Sequence, residues 1–172
     1  METQWKRCQK FVFLMMERRG YYISTSDDYM SHIFCNDANE RVFVWLYKNH
    51  KMNIDAIKDF VHIIQSQKFR DSIIIYQSVI TSSTRKVIEN LLDFHIELFE
   101  LKEFQYDMTK FKYYCVHEKV SQDNAISIKK KYGSSIPSIL RSDPVARYFN
   151  FQKGDIIRVK RQNGTIIYRL VK

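Results

Sequence analysis

The sequence predicts an α/β layer followed by a smaller α+β unit that ends in a β-hairpin. Three observations predict it. Up to residue 104, short β-branched or aromatic runs alternate with stretches whose apolar residues recur at helical spacing. Beyond residue 104 the segments shorten and are punctuated by Gly133, Pro137, Pro144 and Gly154. The charge divides at the same place. Residues 1–104 hold 14 Lys+Arg and 14 Asp+Glu, whereas residues 105–172 hold 14 Lys+Arg and 5 Asp+Glu, so the second part carries the whole net charge of +9.

In chain order, Trp5, Cys8, Phe11, Val12, Met15 and Met16 form the apolar stripe of a first helix, and Gly20 is its natural C-cap. The stretch 21–34 reads as polar and irregular, with Ser24, Ser26, Asp27 and Asp28 as turn or cap residues. Val42-Phe43-Val44-Trp45-Leu46-Tyr47 is too short for a helix and reads as a buried strand. Asn53 then caps a helix with Ile54, Ile57, Val61 and Ile64 on one stripe. Ser72-Ile73-Ile74-Ile75-Tyr76 is a second buried strand. Thr81 or Ser82 opens a helix expected to turn Val87, Ile88, Leu91 and Leu92 inward, and residues 95–99 alternate as a third strand. This order implies a mostly parallel sheet.

In the second part, Ser121 caps a short helix over 123–132 that Gly133 closes, and Ile136-Pro137-Ser138-Ile139 is extended because the residue before proline avoids the helical region. Asp143-Pro144 is an N-cap followed by proline at the first helical position, opening a helix through Phe149. Gly154 turns the chain into a strand, and Asn163-Gly164 signals a hairpin.

Composition narrows the function. Apolar content of 45% and charged content of 27% are those of an ordinary globular protein. The three cysteines are odd in number and scattered, which points to a reducing compartment. The N-terminal residues lack the apolar core of a signal peptide, and no apolar run suits a bilayer. The basic part suits either nucleic acid or an acidic protein surface.

The run Ser142-Asp143-Pro144-Val145-Ala146-Arg147-Tyr148-Phe149, with the hairpin Gly154-Asp155-Ile156-Ile157-Arg158-Val159-Lys160-Arg161 and Ile166-Ile167-Tyr168-Arg169-Leu170-Val171, resembles the C-terminal assembly module shared by the fifth subunit of eukaryotic nuclear RNA polymerases and its archaeal counterpart. Ile136-Pro137-Ser138-Ile139 looks like the family's Leu-Pro-x-Ile segment. His117 matches the histidine of its Pro-x-His element, although Cys115 replaces the proline; the hairpin loop is shorter than usual. Trp5, Arg7 and Arg19-Gly20-Tyr21 resemble the eukaryotic jaw domain, with residues 22–41 trimmed. The resemblance implies a jaw over 1–104, an assembly domain over 105–172, and a non-catalytic subunit of polymerases I, II and III. The assembly domain would dock on the largest subunit, and the jaw would line the downstream duplex DNA channel. It implies a nuclear location, nucleolus included, or a viral factory or virion if a large DNA virus encodes the chain.

The residues expected to meet the partner are Asp143, Pro144, Arg147, Tyr148, Phe149, Arg158, Lys160, Tyr168 and Arg169. Asp143 caps its own helix, and Arg147 either forks onto a partner carboxylate or pairs with Asp143. Arg158 and Lys160 share one strand face; contact with an acidic protein patch is preferred because no stacking aromatic is regularly interleaved with them. In the charge-neutral jaw, DNA contact falls to the local cluster Arg85-Lys86. No catalytic, cofactor or metal residues are expected, nor a membrane or small-molecule partner. Glu100-Leu101-Lys102 matches the acid-x-lysine end of a restriction-nuclease-like site, but the usual Pro-Asp partner is missing. Cys115 and His117 are spaced for a thiol–imidazole pair, though a packed cysteine beside a bonded histidine is far commoner. A stand-alone nucleic-acid-binding module is the rival reading.

Overall fold

The computed structural model describes residues 2–27, 30–77 and 79–172. The chain folds as two compact units, residues 1–106 and 107–172. Each contains helices and a mixed sheet, so the expected α/β class holds.

Unit 1 opens with α1 (Glu2–Arg18), which buries Trp5, Cys8, Val12, Met15 and Met16. Its end is a Schellman cap: Tyr21 N–H donates to Met16 O and Gly20 N–H to Glu17 O, with Gly20 at φ +83°. The strands β1 (Tyr22–Asp27), β2 (Ser31–Cys35), β3 (Arg41–Tyr47), β4 (Asp71–Tyr76) and β5 (His95–Glu100) form a five-stranded sheet in chain order. The first three are antiparallel neighbours; β3, β4 and β5 are parallel. The helices α2 (Ile54–Ser66) and α3 (Ser82–Glu89) form the crossovers. Asn53 accepts from Ala56 N–H, and Thr81 from Thr84 N–H, as side-chain caps.

Three expectations change here. The stretch read as irregular is the β1–β2 hairpin, so Ser24, Ser26 and Asp27 are strand residues, while Asp28 lies outside the described residues. β1 is an edge strand with an exposed surface, which removes the alternation that betrays a strand, and its register shifts between Ile23 and Thr25. The sheet is therefore half antiparallel rather than mostly parallel. Leu92 is 90% exposed, not inward, because α3 stops at Glu89 with Asn90 as its C-cap.

Both faces of β3 and β4 are covered, which explains their unbroken apolar runs. One face packs Phe43, Tyr47, Ile74 and Tyr76 against Ile57, Phe60 and Ile64 of α2. By alternation Val44, Leu46, Ile73 and Ile75 line the other face and are fully buried as well. α1 reaches that face, with Phe13 edge-on to His32 and Phe34 at 4.9 and 5.2 Å.

Unit 2 contains β6 (Val116–Lys119), α4 (Gln122–Tyr132), β7 (Ser138–Ile139), α5 (Pro144–Tyr148), β8 (Ile156–Lys160) and β9 (Ile166–Val171). The sheet order is β6-β8-β9-β7, antiparallel except for β7 against β9. Its core is small: Ile139, Ala146, Phe151, Ile157, Val159 and Val171. The β8–β9 turn is longer than a two-residue loop. Gly164 N–H donates to Arg161 O, Arg161 N–H to Thr165 O, and only Gly164 has positive φ, so this is a tight turn closed by a glycine bulge. Asn163 contributes through its side chain, which accepts from Thr165 N–H.

Candidate docking interface

Asp143 Oδ1 accepts from Val145 N–H at 2.9 Å and Pro144 occupies the first turn, so α5 starts as the residues imply. It ends in a second Schellman cap, with Asn150 at φ +52° and Phe151 N–H on Ala146 O. This geometry drives Ala146, Tyr148 and Phe151 inward. Tyr148 is buried and packs edge-on against Phe149 at 5.0 Å, and Phe149 stacks on Phe151 at 5.5 Å. Tyr148 therefore serves the fold of its own unit. Its removal is expected to destabilise the unit, since losing a buried aromatic costs about 3–5 kcal/mol. Pro144 is exposed and Arg147 half-buried.

The sheet arranges the hairpin residues in cross-strand rows. Glu118, Arg158 and Tyr168 are register partners, as are Val116, Lys160 and Ile166. Residues directly opposite share a face, and a step of two along each strand keeps it, so both rows lie on one face. Arg158 does reach a carboxylate, but an internal one: its Nε donates to Glu118 Oε2 at 3.0 Å and its Nη2 bonds the same oxygen. Tyr168 lies 6.2 Å from the Tyr132 ring, and Arg169, one residue on, donates to Ser138 O. An open groove of about 390 Å³ runs between this face and α4, lined by Glu118, Ser121, Asn124, Ile128, Arg158 and Tyr168.

Four of the five acidic side chains of unit 2 have partners within it. Glu118 takes Arg158, Asp155 takes Lys119 at 2.9 Å, and Asp107 and Asp143 cap turns. Asp123 sits in the first turn of α4, where the helix dipole favours it. Ser121 stands at the cap of that helix without a side-chain bond. Lys129, in the last turn of α4, donates to Gly154 O.

The remaining chemical candidates resolve differently from one another. Cys115 Sγ donates to Tyr113 O, while His117 Nδ1 lies 2.6 Å from the Cys115 carbonyl, so thiol and imidazole are not brought together. Burial lowers the His117 pKa against that carbonyl's opposing pull. Burial pushes the Cys8 thiol up to about 12, making it a packing residue. Glu100 pairs with Lys102, and its N–H donates to Glu103, so the acid-x-lysine triplet is consumed locally. Among the described residues no group of three His, Cys, Asp or Glu could hold a metal ion, and no helix is long and apolar enough to cross a membrane. Arg85 and Lys86 are exposed on α3; the Tyr76 pKa is raised first by burial and then by Glu100, with Arg85 opposing the shift.

Sequence reasoning missed Phe111 and Tyr113. They are 60% and 72% exposed, 5.6 Å apart and edge-on. Their signal is the interleaving Lys110-Phe111-Lys112-Tyr113.

Unit 2 is thus small and basic, with four of its five acidic side chains engaged within it and large apolar side chains left outside. Residues 106–171 match the family described as RNA polymerase Rpb5, C-terminal domain. A protein of Invertebrate iridescent virus 6 that carries the name Putative DNA-directed RNA polymerase subunit 454R is 33% identical over 58% of this chain and 60% of its own length. The RPABC1 subunit of RNA polymerases I, II and III from Caenorhabditis briggsae is 27% identical over 79% of this chain and 68% of its own, as is that of Caenorhabditis elegans. The chain thus spans about three fifths of the viral relative. A DNA-bound Type ISP restriction-modification enzyme, LlaBIII, aligns with TM-score 0.48 at 13% identity over 79% of this chain and 10% of that one, a likeness that carries no functional weight. Residues 106–171 are thus similar to the Rpb5 C-terminal domain, and most of the chain is similar to proteins named as subunits of DNA-directed RNA polymerases.

Proposed function

We propose that the chain is a shared, non-catalytic subunit of a eukaryotic-type DNA-directed RNA polymerase and supports transcription by position rather than chemistry. In this reading residues 105–172 form the assembly domain that anchors it to the largest subunit. Residues 1–104 form a jaw along the downstream duplex DNA channel. The observation that carries the reading is the family match over 106–171. The concentration of the net positive charge in that region supports it. The jaw has no broad positive field, so its DNA contact falls to Arg85 and Lys86 within the complex. The proposed location is nuclear, nucleolus included. The viral relative supports a second location, a viral factory or virion.

Affinity purification of the tagged chain from its native cells, with quantitative mass spectrometry, tests the reading. The expected result is large polymerase subunits in near-equal amount. Recovery of nucleic acid with no polymerase subunit would contradict it and favour a stand-alone nucleic-acid-binding module.

A further inference from the structure

Two features of unit 2 lie outside the resemblance. Its sheet ends in an edge strand, β6, and the face that β6 shares with β8 and β9 is apolar at its hairpin end. Val116 is 45% exposed and Ile166 50%, on either side of Lys160 in one cross-strand row. Phe111 and Tyr113 extend the same region, because the Gln162 side chain donates to Lys112 O and ties their segment to the hairpin turn. The Lys112 ammonium lies 5.5 Å from the Tyr113 ring centre. Four large apolar side chains thus stand in water, flanked by Lys112 and Lys160. Exposed apolar groups gathered in one region of a small unit mark protein interaction sites.

We propose that this end of the sheet face docks a protein segment that brings apolar side chains flanked by carboxylates. The proposal rests on the subunit reading above and names the surface that does the anchoring. Charge complementarity sets the partner's sign, since residues 105–172 hold 14 Lys+Arg against 5 Asp+Glu and Lys112 and Lys160 stand beside the patch. The apolar content sets its class. A phosphate backbone has no use for Val116 and Ile166, and Phe111 and Tyr113 meet edge-on at 70°, which offers no parallel platform for stacked bases. α5 is the weaker anchor, because Ala146 and Tyr148 are buried within the unit.

The test uses the full tagged chain in its native cells. One variant combines Val116→Thr with Ile166→Thr, both strand-compatible; another combines Phe111→Ser with Tyr113→Ser; a third is Lys160→Glu. Each is scored for polymerase subunits recovered per bait, for duplex DNA binding and for melting temperature. The expected result is at least an about tenfold loss of partner in the two apolar variants and a smaller loss for Lys160→Glu, with melting unchanged. Undiminished recovery in a folded apolar double variant overturns the proposal while leaving the subunit reading intact. A variant that loses duplex DNA binding but keeps the protein partners overturns it in favour of nucleic acid. If one apolar pair lowers the melting temperature, the other decides. A wild-type chain that brings down no polymerase subunit overturns both.

Discussion

Unit 1 and unit 2 solve the same problem with different resources. Unit 1 balances its charges and covers both faces of its central strands, so β3 and β4 are buried throughout their middles. Even its deepest ion pair is internal: Arg19 and Glu97 meet through two hydrogen bonds of 2.7 and 2.8 Å, with side chains 5% and 14% exposed. Unit 2 is shorter, builds a small core and leaves Phe111, Tyr113, Val116 and Ile166 outside. Domains of this size bury only about 60% of the surface their unfolded chain exposes. Unit 1 leaves large apolar residues outside as well, Val79 and Leu92 the most exposed, so the two units differ in charge balance and core size rather than in apolar exposure as such.

Substitutions inside unit 1 should be the most damaging. Phe60 is fully buried, stacks on Trp45 at 5.3 Å and lies 5.9 Å from Phe43. Phe60→Ala should cost about 3–5 kcal/mol in denaturant unfolding; a loss below about 1 kcal/mol would show that this core is not what holds the unit. Close behind, Glu97→Ala removes two hydrogen bonds from the nearly buried Arg19 guanidinium, and a loss of about 3 kcal/mol is expected. In unit 2, Asp143→Ala removes one cap bond and should cost about 1 kcal/mol. A much larger loss would mean that α5 does more for unit 2 than close its core.

The smallest effect is a pH dependence centred on a buried histidine of unit 1. His32 is fully buried between Ser26, 2.9 Å from Nδ1, and Gln9, 3.3 Å from Nε2. Burial lowers its pKa from 6.5, with Lys48 adding to the shift. The folded state holds the neutral ring and the unfolded state takes the proton first. This contribution to stability is therefore full above about pH 6.5 and lost as pH falls towards the folded value. The melting-temperature gap between the parent and His32→Gln should narrow from about pH 7.5 to about pH 5.5. A gap that widens on acidification would reverse the assignment.

Local chemistry makes some elements legible in the sequence itself. Asn53, Thr81 and Asp143 each accept the backbone bond their positions imply, and Gly20 closes its helix. Burial is less legible. Nothing between Ser82 and Leu92 but Asn90 marks the end of α3, so Leu92 reads as one more inward residue. The β1–β2 hairpin hides because β1 has no buried face, and its partner strand uses a histidine as a core residue. The site shows the same limit. The basic hairpin is readable as a charge pattern, but its Glu118 partner depends on strand register. Phe111 and Tyr113 escape notice because aromatics are usually core, and only packing shows which ones are left out.

Hydrogen–deuterium exchange of the chain alone and within its purified complex tests the account most directly. It predicts that protection gained on assembly concentrates in residues 111–118 and 158–168 of unit 2, with little gained by the already covered strands of unit 1. Protection confined to residues 2–106, with unit 2 exchanging as it does alone, would contradict it.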